Sequence, residues 1–200
     1  KIPDSYGISA KCSLNGCLSE DSDIVNVQVF SKPSSPTITP PANLSICSPG
    51  SLVFRASCIS GTPKWYNDVL LDSIMLKNVG TYSVSAVCVE NGCESDLSPA
   101  INAEIKGLEA ISVSSNSPIC EGETLNLTVN APSGQSFSWS GKGSGTLSNL
   151  SIPNATNANT GKYYIQVTGS NSCLTIDSIS VAVNPSDTIY VDANAIGNND

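Results

Sequence analysis

The chain has no histidine and one methionine, and only nine of its 200 residues are lysine or arginine, against 17 aspartates and glutamates. Without histidine, the side chain that titrates near neutral pH and serves most often as a metal ligand is missing. That removes the commonest routes to general acid-base chemistry and most transition-metal sites. A net charge of −8 with so few cations gives no surface able to neutralise phosphates, so neither nucleic acid nor an anionic membrane is an expected partner. No run of about 18 apolar residues is present, and the start lacks the charged-then-apolar pattern of a signal segment. The expectation is a soluble chain that begins inside a longer protein. Aromatic residues make up only 6% of it, few for a binding platform.

What the chain does contain is repetition. Asn78-Val79-Gly80-Thr81-Tyr82 leads into Ser83 to Cys88 and closes on Asn91-Gly92-Cys93. Tyr6, Cys12, Asn15-Gly16 and Cys17 repeat this 76 positions earlier, and Asn159 to Val167 with Asn171-Ser172-Cys173 repeat it later with a shorter turn. Three copies in one chain mark a tandem array. Tyr82, Val84, Ala86 and Cys88 alternate with polar residues, which describes a strand with one buried face. Asn-Gly beyond it signals a hairpin.

Around that stretch the rest of each copy falls into place as an all-β fold of tandem immunoglobulin-like β-sandwich domains. N-x-G-x-Y, at Asn78 to Tyr82 and Asn159 to Tyr163, resembles the corner entering the sixth strand of such sandwiches, where the tyrosine hydroxyl bonds to backbone; Tyr82 and Tyr163 are the expected corner residues. Leu52, Phe54, Ala56 and Cys58 form a second-strand pattern that Leu125, Leu127 and Val129 repeat 73 positions later. Trp65 and Trp139 follow where the core tryptophan of the third strand belongs. The expected domains are 1–32, the last hairpin of a truncated copy; 33–107 and 108–185, two complete copies; and 186–200, the start of something else. A lone hairpin cannot bury its face, so the apolar side of residues 1–31 needs either strands from upstream or the next copy.

Eight cysteines without C-x2-C knuckles or histidine point to disulfides in an oxidising compartment rather than to zinc. Comparing copies suggests their pairing. Cys47 aligns with Cys120 and Cys93 with Cys173, whereas Cys58 aligns with Ala131 and Cys88 with Gly169, two cysteines lost together. The expected bonds are therefore Cys47 with Cys93, Cys58 with Cys88, and Cys120 with Cys173. Cys12 and Cys17 would bond to residues before Lys1, stay reduced, or join each other.

Ser45-Ile46-Cys47-Ser48-Pro49-Gly50-Ser51-Leu52 and Pro118-Ile119-Cys120-Glu121-Gly122-Glu123-Thr124-Leu125, each followed by Trp, G-x-Y and an N-G-C-type turn, resemble the Ig-like and PKD-like repeats of Bacteroidetes surface and secreted proteins. The resemblance spans nearly all of residues 1–185. It implies an extracellular or cell-surface protein, often exported by type IX secretion, whose repeats act as stalks, spacers or adhesive arms. The tail from Asp187 to Asp200 resembles the opening of a right-handed parallel β-helix domain.

Candidate chemistry elsewhere is thin. Glu20, Asp21 and Asp23, and the Asp192 to Asp200 run, could offer oxygen ligands to calcium but lack EF-hand spacing. Glu20 with Asp21, or Glu121 with Glu123, sit in expected turns, not in a cleft where glycoside hydrolysis could use them. Gly141 to Gly145 lacks phosphate-loop spacing and reads as a turn. Asp72-Ser73-Ile74, Asp177-Ser178-Ile179 and Asp187-Thr188-Ile189 resemble the O-glycosylation signal of Bacteroidetes secreted proteins, which implies sugar on Ser73, Ser178 and Thr188. No catalytic residue, cofactor or metal is expected. The expected function is a structural spacer, with adhesion to glycan or protein, or a filament segment, as alternatives; the expected partners are neighbouring repeats of the same chain.

Overall fold

The computed structural model describes residues 4–132 and 135–186. Thr188, the Asp192 to Asp200 run and nearly all of the expected following domain lie outside them. The chain divides into two compact units, residues 1–105 and 106–200. Among the described residues the only helical element is a 3-10 turn at Asn157–Asn159.

The first unit opens with a hairpin. Strands β1 (Asp4–Ile8) and β4 (Val25–Val29) pair antiparallel, with Tyr6 opposite Val27 and Ile8 opposite Val25. Between them, β2 (Ser13–Leu14) and β3 (Cys17–Leu18) flank Asn15-Gly16. Both turn residues lie at positive φ, 50° and 84°, the backbone that a two-residue turn between twisted strands requires.

A complete sandwich follows, with strands β5 (Thr37–Thr39), β6 (Ser45–Cys47), β7 (Leu52–Ser57), β8 (Thr62–Trp65), β9 (Ser73–Leu76), β10 (Gly80–Val84), β11 (Ala86–Glu90), β12 (Cys93–Glu94) and β13 (Ile101–Lys106). One face is the sheet β5-β7-β9, and the other is made of β12-β11-β8 and β10-β13-β6. The alternation in β7 does what it predicts: Leu52, Phe54 and Ala56 are buried, and Arg55 and Ser57 are exposed. They meet Trp65, Val84, Ala86, Ala103 and Ile105 from the facing strands in a single core. The apolar stretch Val69 to Leu76 forms no helix; it supplies a turn with Asp68 at φ 62° and the strand β9.

The second unit repeats this plan with β14 (Ser112–Ser115), β15 (Ile119–Cys120), β16 (Leu125–Asn130), β17 (Ser136–Gly141), β18 (Asn149–Ile152), β19 (Gly161–Thr168), β20 (Leu174–Val181) and β21 (Val183–Asn184). Its sheets are β14-β16-β18 and β17-β19-β20, with β15 and β21 paired in parallel. Leu125, Leu127 and Val129 pack with Trp139, Tyr163, Ile165 and Val167. The Gly141 to Gly145 stretch ends β17 in a turn, bridged from Trp139 to Gly145.

Both tryptophans are almost fully buried, and each satisfies its indole N–H locally, Trp65 at the Leu71 carbonyl (2.7 Å) and Trp139 at the Leu147 carbonyl (3.0 Å). Both corner tyrosines donate to the carbonyl four residues back: Tyr82 to Asn78 (2.6 Å) and Tyr163 to Asn159 (2.9 Å). The glycine between them is required by backbone geometry, since Gly80 and Gly161 sit at φ 156° and 140°, where side chains are disfavoured. Tyr163 is the more enclosed of the pair, and burial raises the pKa of its phenol, partly offset by the bond to Asn159.

That shift has a sign. A phenol held neutral in the folded chain favours folding fully below its ordinary pKa near 10, and the benefit fades as pH climbs and the unfolded chain ionises first. Denaturant titrations between about pH 8 and 11 should therefore show the second unit losing stability on the alkaline side. Tyr163→Phe should cost about 1 kcal/mol at neutral pH and make that alkaline loss shallower.

Candidate functional site

The cysteines are the residues whose placement carries most consequence. Cys58, just past β7, and Cys88, in β11, form a disulfide with Cα atoms 5.8 Å apart. Cys88 is fully buried, and it pairs in register with Pro63 of β8. The turn that leads from Cys58 into β8 passes so close to β11 that a Cβ on Gly61 would lie 2.4 Å from the Val89 carbonyl oxygen. Only glycine fits there, and its φ of 81° points the same way.

The outer cysteines correct the expected pairing. Cys93 and Cys120 carry free thiols, as do Cys12 and Cys17, so the expected bonds Cys47–Cys93 and Cys120–Cys173 are not formed. Position along the strands is the reason. In the second unit Cys120 lies opposite Asn184, whereas Cys173 immediately precedes Leu174, at the far end of the β19–β20 ladder. Ten residues of extended chain separate those ends, about 30 Å at the rise of a strand, far beyond the roughly 7 Å that a disulfide can span between Cα atoms. In the first unit Leu44 bonds to Glu104, near the end where Ile105 faces Gly80, and Cys47 closes β6 just before β7 begins. Cys93 faces Glu90 beyond Cys88, at the other end of β7. That strand alone keeps them about 20 Å apart.

A second feature escaped the sequence reading. After the hairpin turn, Ser95 and Ser98 run beside β11 and replace ladder pairing by side chains. Their amides donate to the Cys88 and Ala86 carbonyls, and their hydroxyls accept from the Cys88 and Ala86 amides (2.8 and 3.1 Å). Ser19 and Ser22 make the same four bonds to Cys12 and Ala10 in the opening hairpin. The signal was available as S-x-x-S, at the same separation of 76 residues.

The acidic residues hold loops. Glu121 accepts from the Asn157 amide (2.7 Å) and Glu123 from the Cys120 amide (2.9 Å). Asp21 pairs with Lys11 at 3.4 Å on the exposed hairpin. Among the described residues no cluster of three or more acidic or cysteine side chains is arranged to hold a metal ion. No helix in them is long and apolar enough to cross a membrane. Ser73 opens β9 and Ser178 lies within β20 opposite Tyr164, both half-buried. Surface aromatics are scattered, with Tyr66 on the first unit, and Tyr164 on the second beneath the Lys162 ammonium at 5.3 Å.

Residues 109–185 match the family model of the Ig-like domain described as CHU_C associated. That segment is an Ig-like domain. No curated protein matches the chain in sequence. Among solved structures, the N-terminal eight Ig domains of Down Syndrome Cell Adhesion Molecule superpose with a TM-score of 0.51 at 11% identity, over 92% of this chain and 28% of that one. The chain thus spans a little over a quarter of the length of that eight-domain structure, and the likeness establishes the Ig-like fold alone. Fibronectin(III)-like modules of Clostridium thermocellum CbhA match at 16% identity over 78% of this chain and all of theirs, TM-score 0.33. An amphioxus IgVJ-C2 molecule matches at 13% over 77% of this chain and 99% of its own, TM-score 0.34.

Two outcomes follow for this Ig-like chain. Replacing Cys58 and Cys88 together by alanine should lower the stability of the first unit by about 3 to 4 kcal/mol, from the loop that the bond closes, and leave unfolding of the second unit unchanged. Under native conditions iodoacetamide should modify Cys120 while leaving Cys58 and Cys88 untouched until reductant is added, as read by peptide mass spectrometry.

Proposed function

We propose that this chain is part of an extracellular arm in which tandem Ig-like modules space and present a neighbouring domain at the cell surface. The observation that carries the reading is the recurrence of one hairpin, down to the hydrogen bonds of its serines, at a separation of 76 residues along the chain. Repetition of a scaffold with its polar residues spent on turns and loop ends fits a task of length and stiffness. An acidic surface, at a net charge of −8, keeps such an arm in solution. Export through type IX secretion from a Bacteroidetes cell, with sugars on Ser73, Ser178 and Thr188, belongs to the same reading and rests on the sequence resemblance. Modules of this kind carry their working groups, where they have any, on loops at the ends of the sandwich.

Adhesion is the second reading, and Tyr66 and Tyr164 on the surface are what favour it. A replacement experiment in the source cell separates the two. Residues 108–185 are exchanged for an unrelated sandwich of the same length, and surface display and attachment to glycan-coated or protein-coated supports are scored. A spacer tolerates the exchange with attachment unchanged. Loss of attachment with display intact overturns the spacer reading in favour of adhesion.

A further inference from the structure

The opening hairpin has the strands of a finished sandwich and none of its cover. Its register copies that of β10 and β13: Tyr6 faces Val27 as Tyr82 faces Ala103, and Ile8 faces Val25 as Val84 faces Ile101. In the complete copy this face is sealed, with Val84 and Cys88 at 0% exposure, Ala86 at 1% and Ala103 at 6%. In the hairpin the equivalent Ile8 is 55% exposed, Val25 63% and Val27 39%. Tyr6, Gly7, Ile8, Val27 and Val29 line an apolar groove of about 330 Å³. At the edge of this face stands Cys12, a free and exposed thiol at the position where Cys88 bonds across the core to Cys58.

From these two features, an open apolar face and an unbonded thiol in the register of a core disulfide, we infer that the hairpin is the acceptor half of a split sandwich. Its occupant is a block of strands equivalent to β5 through β9, with a cysteine placed like Cys58 that oxidises with Cys12 to a disulfide. The two thiols lose two protons and two electrons to the oxidant of the compartment, such as a glutathione disulfide. In both complete copies this block comes directly before its hairpin in the chain. Neither complete copy has a spare block, because β5 through β9 and their counterparts β14 to β18 are already packed in their own cores. The occupant is recognised by strand addition along the edge of the hairpin and by alternate apolar residues filling the groove. This holds whether the arm serves as a spacer or as an adhesin.

A chimera tests it directly. Val79 corresponds to Pro3 at the separation of 76 residues, so residues 33–79 can be fused ahead of Asp4 of the full chain, with Cys47→Ser in the added block to keep one thiol in play. In a glutathione redox buffer the fused Cys58 should bond to Cys12, removing Cys12 from native iodoacetamide labelling. Amides of residues 4–29 should exchange at least tenfold more slowly than in the parent chain, in line with those of β10 and β13. A second fusion carrying Cys12→Ser separates packing from the bond, and its hairpin amides should still be protected. A Cys12 that stays alkylatable, together with hairpin amides that exchange at the parental rate in both fusions, overturns the inference. The parent chain's own two sandwiches serve as internal controls for folding in every sample.

Discussion

Each sandwich is closed by one tryptophan that has to be buried and hydrogen-bonded at once. An indole in a core contributes a large apolar area, but its N–H carries a penalty unless it finds an acceptor there. Trp65 and Trp139 meet both demands by reaching the loop that follows their own strand, at Leu71 and Leu147. That loop is thereby tied to the core, and it leads into β9 or β18, which completes the opposite sheet. The same side chain that fills the middle of the sandwich also fixes where the chain crosses from one sheet to the other.

The two complete copies secure the far end of the sandwich differently. The first has the Cys58–Cys88 bond. The second has Ala131 and Gly169 at the aligned positions and uses a carboxylate instead: Glu109 accepts from the amide and hydroxyl of Ser170 (3.0 and 2.8 Å) and from Gln135. Space for this exists because residue 169 has no side chain, since a Cβ there would lie 2.8 Å from the Glu109 carboxylate. A covalent constraint on the unfolded chain has been replaced by charge-assisted hydrogen bonds in the folded one. In the second copy, moreover, β20 pairs with β19 over eight consecutive positions, where the first copy interposes its two serines.

What the chain reveals before folding follows from which physical rule each residue obeys. Alternation exposed β7, β16 and the strand pair around each hairpin, because a half-buried strand has to alternate. The corner tyrosines and core tryptophans were legible because their positions relative to glycine and to the strands are tightly constrained. The outer cysteines were misread for a different reason. Comparing copies identifies residues that change together, as Cys58 and Cys88 do, but it leaves distance undetermined, and the two that remained were assigned to each other by elimination. Counting strand residues between Cys47 and Cys58 would have put Cys47 and Cys93 at opposite ends. The serines were overlooked since a hydroxyl that stands in for a ladder partner looks, in sequence, like any solvent-facing serine.

The parallel pairing of β15 with β21 has a mechanical consequence. One strand lies near the start of its module and the other at its finish, and both run in the same direction. Tension applied to the two ends of the module pulls the first strand one way and the last strand the other. The hydrogen bonds between them, with Ile119 beside Val183 and Cys120 beside Asn184, are then loaded in shear, all together, and none can open ahead of the rest as in a zipper. The resistance of such a module to stretching resides in that short seam, and lengthening or weakening it would tune the force at which the module yields without altering its resting length.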